Sequence, residues 1–239
     1  MSVFVISDLH LSVENASKSM DVFGKRWLNY TEKLKKQWQA VVTPADTVII
    51  PGDISWGLTL ADALPDLTFL HALHGNKILS KGNHDFWWST VSKLEACFAE
   101  HELSSIQILN NNALEIESFN IAGTRGWFTE PSLQSAVNTP DFDKIVNREN
   151  IRLRLSLTQA KALQAQNEKE IIAFFHFPLI WGDVTVRSTI DILHEFGIKR
   201  CFFGHIHGTY GIPQTTEFEG ISFSLIAADY LNFTPFLIS

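Results

Sequence analysis

The stretch VFVISDLH at residues 3–10 consists of four apolar residues followed by a segment that contains the polar residues Ser7, Asp8 and His10. A short run that is apolar on both faces is typical of a buried central strand. Four later stretches repeat this arrangement: 47–53, 77–85, 171–176 and 201–207. Because ligands in open α/β sheets bind beyond the carboxyl ends of the strands, we expect all five strand ends to converge at one edge of a sheet.

Amphipathic segments separate these strands and predict helices. Apolar residues recur at helical spacing in 24–40, 59–74, 89–100, 147–167 and 188–196. Residues 106–123 and the tail 217–238 instead alternate like strands, which adds antiparallel pieces to the parallel units. No repeat or linker divides the chain, so we expect residues 1–239 to form one α/β domain. The Pro- and Ser-containing segment 129–143 is predicted to be an ordered loop near the site.

Charge and hydropathy along the chain limit which partners and which cellular location we expect. The net charge is -7, and no basic run exceeds Lys35-Lys36, which argues against general nucleic-acid binding. The N-terminus has no basic segment and no cleavage site of a signal peptide, and no apolar run reaches about 18 residues. We therefore expect a cytoplasmic protein without membrane contact. Composition does not indicate an oligomeric state.

The strand ends together supply donors for two adjacent divalent cations. The candidate ligands are two Asp, one Asn and four His: Asp8, His10, Asp53, Asn83, His176, His205 and His207. Oxygen and nitrogen donors without a thiolate suit Mn²⁺, Fe, Zn²⁺, Ni²⁺ or Co²⁺ and do not decide among them. Two close cations polarise a phosphoryl group and convert water to hydroxide near neutral pH, which points to phosphate ester chemistry.

The order of these motifs resembles that of the calcineurin-like metallophosphoesterases. The matching signatures are Asp8-x-His10, Gly52-Asp53, Gly82-Asn83-His84-Asp85, His176 and Gly204-His205-x-His207. None is missing between residues 8 and 207. The tryptophans beside the motifs, together with GTRGW at 123–127, look like an uncharacterised bacterial subgroup of predicted phosphohydrolases. The resemblance implies a four-layer α/β/β/α sandwich with mixed β-sheets and a dinuclear metal site.

The resemblance also implies a role for each motif residue. It assigns two ligand sets that share Asp53: Asp8, His10, Asp53 and His207 for the first metal, and Asp53, Asn83, His176 and His205 for the second. A metal-bridging hydroxide would attack a phosphomonoester or phosphodiester. His84 would protonate the leaving group as the general acid, and Asp85 would orient its ring. Alternatively, Asp85 caps the following helix.

Four residues beside the motifs are candidates for binding a small phosphorylated substrate. Trp56, Trp127 and Trp181 can stack on a base or sugar, although large aromatic residues more often pack in the core. Arg125 lies in a glycine-flanked turn and can clamp a phosphate, or else form a surface salt bridge.

Two other functions are compatible with this family. One retromer subunit uses the same architecture as a non-catalytic scaffold, but its ligand set is degraded, whereas the set in this chain is complete. A nuclease is the other alternative. Nucleases of the family often bring extra domains or a basic groove, and neither is visible in this sequence.

Overall fold

The structure is a computed structural model that describes residues 1–127 and 142–239, except for the side chain of residue 16. Most of the predicted loop 129–143 lies outside the described residues. Its last two residues, Phe142 and Asp143, belong to a helix.

Thirteen strands and five helices longer than one turn make up the described chain. The strands are β1 (Val3–Val5), β2 (Thr47–Pro51), β3 (Asn76–Ser80), β4 (Ile106–Ile108), β5 (Ala113–Glu115), β6 (Phe119–Thr124), β7 (Glu170–Phe175), β8 (Ile180–Trp181), β9 (Val184–Thr185), β10 (Arg200–Phe203), β11 (Thr215–Phe218), β12 (Ile221–Leu225) and β13 (Phe236–Leu237). The helices are α1 (Tyr30–Val41), α2 (Leu60–Ala72), α3 (Val91–Glu100), α4 (Phe142–Asn167) and α5 (Arg187–Glu195). Short 3₁₀ turns occupy Ala16–Lys18 and Met20–Phe23.

Two mixed sheets contain most of the strands. The first has the order β13-β1-β2-β3-β4, in which β1 to β4 are parallel and β13 is antiparallel. The second has the order β11-β12-β10-β7-β6-β5, with a parallel centre and antiparallel edges. The two remaining strands, β8 and β9, form a hairpin. The predicted mixture of parallel units and antiparallel pieces is confirmed.

Three apolar cores divide the described residues into four layers. The central core joins side chains of both sheets, among them Val5, Ile49, Ile172 and Phe202. A second core packs helices α1 to α3 on the outer face of the first sheet, and a third packs α4 and α5 on the outer face of the second. Each sheet therefore buries both faces, as expected from the continuous apolar strands, and the α/β/β/α sandwich is confirmed.

The strand ends converge, but not on one sheet. The predicted single edge is wrong, because β1, β2 and β3 belong to the first sheet whereas β7 and β10 belong to the second. An apolar run indicates that a strand is buried on both faces and carries no information on which strands it pairs with. The sheets meet where Ser7 forms a parallel bridge with Ala227, and the N–H of Ser7 donates to the Ile226 carbonyl over 2.8 Å.

Two helices differ from their predicted ends. The predicted helix 24–40 begins only at Tyr30, because Gly24 and Asn29 have φ angles of 109° and 53°, which interrupt a right-handed helix. The helix predicted to begin at residue 147 already includes Phe142. Among the described residues, none of the helices combines the length and apolar character needed to cross a membrane.

Candidate metal centre

The first donor cluster consists of Asp8, His10 and His207, with one atom from each within 4.8 Å of the others. The Nε2 atoms of His10 and His207 lie 3.0 Å apart, and Nε2 of His207 lies 3.5 Å from Oδ1 of Asp8. Two imidazole nitrogens that face each other beside a carboxylate leave room for a proton or a cation between them. This cluster joins the end of β1 to the loop after β10.

The second cluster consists of Asp53, His176 and His205, again with donor atoms within 4.8 Å of one another. Asn83 joins it, because its Oδ1 lies 2.6 Å from Nε2 of His176. The same His176 nitrogen lies 3.4 Å from Oδ2 of Asp53. All seven predicted ligands are thus brought together from both sheets.

Asp53 connects the two clusters through one oxygen. Its Oδ2 lies 3.4 Å from Nε2 of His176 in the second cluster and 3.7 Å from Nε2 of His10 in the first. A carboxylate can donate to two cations at once, and carboxylate, amide and imidazole donors suit first-row divalent metals. The described residues therefore fit two divalent ions.

Burial and neighbouring charges set the protonation of the donors. Burial alone raises the pKa of Asp53, but the imidazoles of His176 and His10 outweigh it and hold the pKa well below its usual range. Burial lowers the pKa of His10 to about 4 and that of His205 to about 3. These carboxylate and imidazole groups are therefore deprotonated at neutral pH, which is the state that binds a metal.

The pKa of His207 is shifted in the opposite direction from those of His10 and His205. Burial lowers its pKa, but hydrogen bonding to Asp229 and Asp8 outweighs burial and raises the pKa to about 10. Without a metal, His207 is therefore protonated at neutral pH and can donate from Nε2 to the unprotonated Nε2 of His10.

Four of the donor residues have left-handed backbone conformations. The φ angles are 60° for Asp8, 46° for His10, 52° for Asp53 and 69° for His205. Residues other than glycine rarely adopt positive φ, and such conformations concentrate at functional sites, where the surrounding structure imposes them.

Two motif glycines are required by close packing around the donors. A Cβ atom on Gly82 would lie 2.1 Å from Oδ1 of Asp53, and one on Gly204 would lie 2.1 Å from Oδ2 of Asp8. Both distances are far inside van der Waals contact. Glycine at these positions therefore allows the backbone to pass directly behind the two carboxylates.

His84 stands beside the donors without joining either cluster. Its ring centroid lies 5.6 Å from that of His10 and 4.6 Å from the Trp56 ring, which in turn stacks on His10 at 4.8 Å. The backbone N–H of His84 donates to Oδ1 of Asp53 over 2.8 Å. Burial lowers the pKa of His84. The imidazole is thus positioned next to the metal centre by its own backbone.

Asp85 does not make the expected contact with the His84 ring. Its fully buried carboxylate instead accepts hydrogen bonds from four backbone N–H groups and from the indole of Trp87 over 3.0 Å. The backbone donors are Gly82, Asp53, Ile54 and Ser55, at 2.8 to 3.3 Å. The residue holds together the two turns that carry Asp53 and Asn83. It does not cap the following helix, which begins only at Val91 with Thr90 as its N-cap.

Asp229 is a site residue that sequence reasoning missed. Its Oδ1 lies 3.0 Å from Nδ1 of His207, and its Oδ2 accepts the N–H of Gly208 and the hydroxyl of Tyr210. A carboxylate that accepts from one imidazole nitrogen leaves the other for a metal. The available signal was the segment 221–228, which is apolar except for Ser222 and Ser224 and is followed directly by this acid, as the other strands are followed by ligands.

The remaining substrate candidates occupy different surroundings. The guanidinium of Arg125 lies 4.7 Å from the Trp127 ring centre, and its carbonyl accepts the N–H groups of His176 and Phe177. Trp127 is buried and contacts Phe177 at 4.7 Å. Trp181, in contrast, is half-buried and packs near Phe203 in the core of the second sheet.

Comparison with known proteins identifies a family. Residues 1–209 match the sequence model of the family described as calcineurin-like phosphoesterase. None of the curated proteins compared with the chain matches it.

Solved structures share the fold at low identity. The phosphopantetheinyl hydrolase PptH from Mycobacterium tuberculosis is similar with a TM-score of 0.56 and 14% identity, over 97% of this chain and 90% of that one. The protein TT1561 from Thermus thermophilus is similar with a TM-score of 0.58 and 12% identity, over 95% and 89% of the two chains. At such identities the likeness concerns the fold alone.

Proposed function

The chain belongs to the calcineurin-like phosphoesterase family, and from that premise we propose that it hydrolyses a phosphomonoester or phosphodiester with the help of two divalent metal ions. The observation that carries the proposal is the position of Asp53. One of its oxygens lies within 3.4 to 3.7 Å of imidazole nitrogens in both donor clusters. Such an arrangement suits a carboxylate shared by two cations.

The two ligand sets divide between the clusters. Asp8, His10, Asp53 and His207 would hold the first ion, and Asp53, Asn83, His176 and His205 the second. When bound, such ions neutralise charge on the phosphoryl oxygens and lower the pKa of a water molecule.

His84 supplies the proton that the leaving group needs. An alkoxide leaving from phosphorus develops negative charge, and an imidazolium within hydrogen-bond reach can protonate it. The backbone contact of His84 with Asp53 ties this imidazole to the centre, and Trp56 packs against its ring. Asp85 is a positioning residue, because it holds the turns of Asp53 and Asn83 in register through their backbone N–H groups.

Substrate contacts come from the side chains nearest the centre. Trp56 contacts the rings of both His10 and His84, so in the proposed reaction it would lie beside the leaving group. Arg125 is linked to His176 through its backbone and offers a cation to a phosphate. Trp127 supports the guanidinium of Arg125. Trp181 would contribute only to a substrate large enough to reach its hairpin.

Hydrolysis of two chromogenic esters tests the proposal. We expect the purified protein, supplied with Mn²⁺ or Zn²⁺, to release 4-nitrophenol from 4-nitrophenyl phosphate, bis(4-nitrophenyl) phosphate or both. The esters also separate monoesterase from diesterase activity. Asp53→Ala should abolish turnover and lower the metal content by at least one ion per chain, whereas Asp183→Ala, at an exposed position, should change neither.

Two outcomes would contradict the proposal. If Asp53→Ala retained full metal occupancy, the shared carboxylate would be refuted. If neither ester were hydrolysed with any of the candidate metals, a non-catalytic scaffold on the same fold would become the better hypothesis for the function of this protein.

A further inference from the structure

A basic cavity lies beside the candidate metal centre, and Arg125 is the only one of its lining residues that the proposed reaction uses. Its volume is about 350 Å³, and its charged lining residues are Lys81, Arg125, Arg148, Glu149 and Arg152. Lys81 directly precedes the Gly82-Asn83 turn, and Arg125 follows β6, which pairs with β7, the strand directly before His176. The cavity therefore adjoins the second donor cluster.

The positive charges of this cavity outnumber the negative charge. Glu149 is 3% exposed, and its Oε1 lies 2.6 Å from Arg152, 3.8 Å from Arg125 and 4.0 Å from Arg148. Its other oxygen accepts the hydroxyl of Thr124 over 2.5 Å. One carboxylate cannot neutralise four cations, so the described lining keeps an excess of positive charge.

Arg125 extends this charge toward the reaction centre. Its Nε atom is buried and has no hydrogen-bond partner among the described residues, although a buried donor without an acceptor costs free energy. Burial lowers the pKa of the Arg125 guanidinium, and the charges of Glu149 and, to a smaller extent, Asp53 raise it. Arg125 therefore lies within electrostatic reach of the site where a phosphate ester would bind.

A surface ion pair on α4 differs from the Glu149 cluster in that each partner has only one counterion among the described residues. Arg154 of α4 forms a single pair with Glu195 over 2.7 Å at the surface. Arg148 and Arg152 instead crowd around one shared carboxylate, with side chains that are 54% and 40% exposed. Docking of α4 on β6 does not require three arginines around Glu149, since one bidentate pair would already satisfy that carboxylate.

We propose that this cavity is a subsite for a second phosphate group, so that the preferred substrate is a small molecule with two phosphate groups. The inference rests on the proposed phosphoesterase function. The ester phosphate would occupy the metal centre, and the second dianion would be bound by the Lys81, Arg125, Arg148 and Arg152 side chains. Arginine forks bind phosphate oxygens in pairs, which gives orientation as well as affinity.

A pair of aryl phosphates tests the subsite through activity. The probes are 4-(phosphonomethyl)phenyl phosphate, which carries a second dianion, and 4-ethylphenyl phosphate, which does not. We expect kcat/KM to favour the first by about tenfold or more, and Arg148→Met to reduce that preference severalfold. Arg154→Met on the same helix is the matched control and should leave the preference as in the parent. Equal kcat/KM for both probes in the parent would overturn the subsite.

A binding measurement separates failure of the subsite from failure of the proposed reaction. Alkane α,ω-diphosphonates of about three to eight carbons are not hydrolysed, so their affinity can be measured by calorimetry whether or not the protein turns over an ester. We expect at least one of them to bind about tenfold more tightly than the alkylphosphonate of equal length, and Arg148→Met to remove most of that gain. No gain at any chain length would overturn the subsite even if both aryl phosphates were hydrolysed.

Discussion

Nδ1 of His207 lies 3.0 Å from Oδ1 of Asp229, whose carboxylate is fully buried. The contact fixes which nitrogen of His207 faces the metal centre, since Nδ1 is occupied by Asp229 and Nε2 points toward His10 and Asp8. Partners of this kind contribute strongly to metal affinity without touching the metal.

We expect Asp229→Asn to weaken metal binding by about 10- to 100-fold, because the neutral amide no longer orients and polarises His207. Chelator competition measures the effect directly. Asp191→Asn, which alters an exposed acid paired with Arg187, is the matched control. Equal metal affinity in Asp229→Asn and the parent would show that His207 does not depend on this carboxylate.

Metal binding should release protons. The pKa of His207 is raised to about 10 by Asp229 and Asp8 against the effect of burial, so the metal-free protein carries a proton there at neutral pH. A metal can bind Nε2 only after that proton leaves, and each proton released raises the apparent affinity about tenfold per pH unit. We therefore expect affinity to rise with pH between about pH 6 and pH 8.

Calorimetric metal titrations in buffers of different ionisation enthalpy count the released protons. Asp229→Asn should release fewer protons than the parent, because loss of this carboxylate lowers the pKa of His207. Affinity that stays constant with pH would contradict the protonated state of His207.

The contribution of His84 to kcat should depend on the leaving group of the substrate. We expect His84→Ala to retain its metals and to lose about 10²- to 10⁴-fold in kcat on phenyl phosphate, whose leaving group needs a proton. The loss on 4-nitrophenyl phosphate should be much smaller, because 4-nitrophenolate leaves unprotonated. His101→Ala, at an exposed histidine after α3, is the control. Equal losses on both substrates would exclude a general acid.

The pH dependence of kcat on phenyl phosphate gives a second test of His84 as the general acid. Burial lowers the pKa of His84 below its ordinary value near 6.5, and only the protonated imidazole can act as an acid. In the parent, kcat on phenyl phosphate should therefore fall as pH rises through and above this lowered pKa. This fall in kcat at higher pH should be absent in His84→Ala. If His84→Ala still showed the fall, a group other than His84 would be responsible for it.

Asp85 can be tested with an almost isosteric change. In Asp85→Asn, an NH₂ group replaces one oxygen and faces backbone N–H donors such as those of Gly82 and Asp53, which then lack an acceptor. We expect the free energy of unfolding to drop by about 2–4 kcal/mol. Denaturant titration measures the drop, with Asp183→Asn as the exposed control. A loss below about 0.5 kcal/mol would mean that these bonds contribute little.

We expect any side chain introduced at position 82 to reduce turnover. A Cβ atom there would lie 2.1 Å from Oδ1 of Asp53 and 2.2 Å from its backbone nitrogen, so Gly82→Ala must displace the shared carboxylate. Misplacement of a catalytic group by about 1 Å can cost about 100-fold in rate, and we expect a loss of that order. Gly211→Ala is the control, because a Cβ atom there meets nothing within 4 Å. Normal turnover by Gly82→Ala would show that the turn can move without harm to the centre.

The sequence predicted well the central strands and the seven candidate donors that the structure brings together, because both signals are local. An apolar run such as 171–175 ends where its polar ligand begins, and this boundary is visible without knowledge of any other strand. Pairing between strands is not local, and for that reason the division of the strand ends over two sheets was missed.

The role of Asp85 and the presence of Asp229 were also beyond local patterns. Asp85 stands next to His84 in the motif, but its partners Asp53 and Ile54 are about thirty residues away, and only burial reveals that their N–H groups need an acceptor. Asp229 follows its strand without a neighbouring motif residue, so nothing in the sequence connects it with His207.

The order of the donors along the chain has a consequence for biosynthesis. Asp8, His10, Asp53 and Asn83 are synthesised first, whereas His176, His205 and His207 emerge only in the last third of the chain. Each donor cluster mixes early and late residues. A nascent chain that stops before His176 therefore offers no complete cluster, and both clusters are complete only after translation has passed residue 207 and the second sheet has packed on the first.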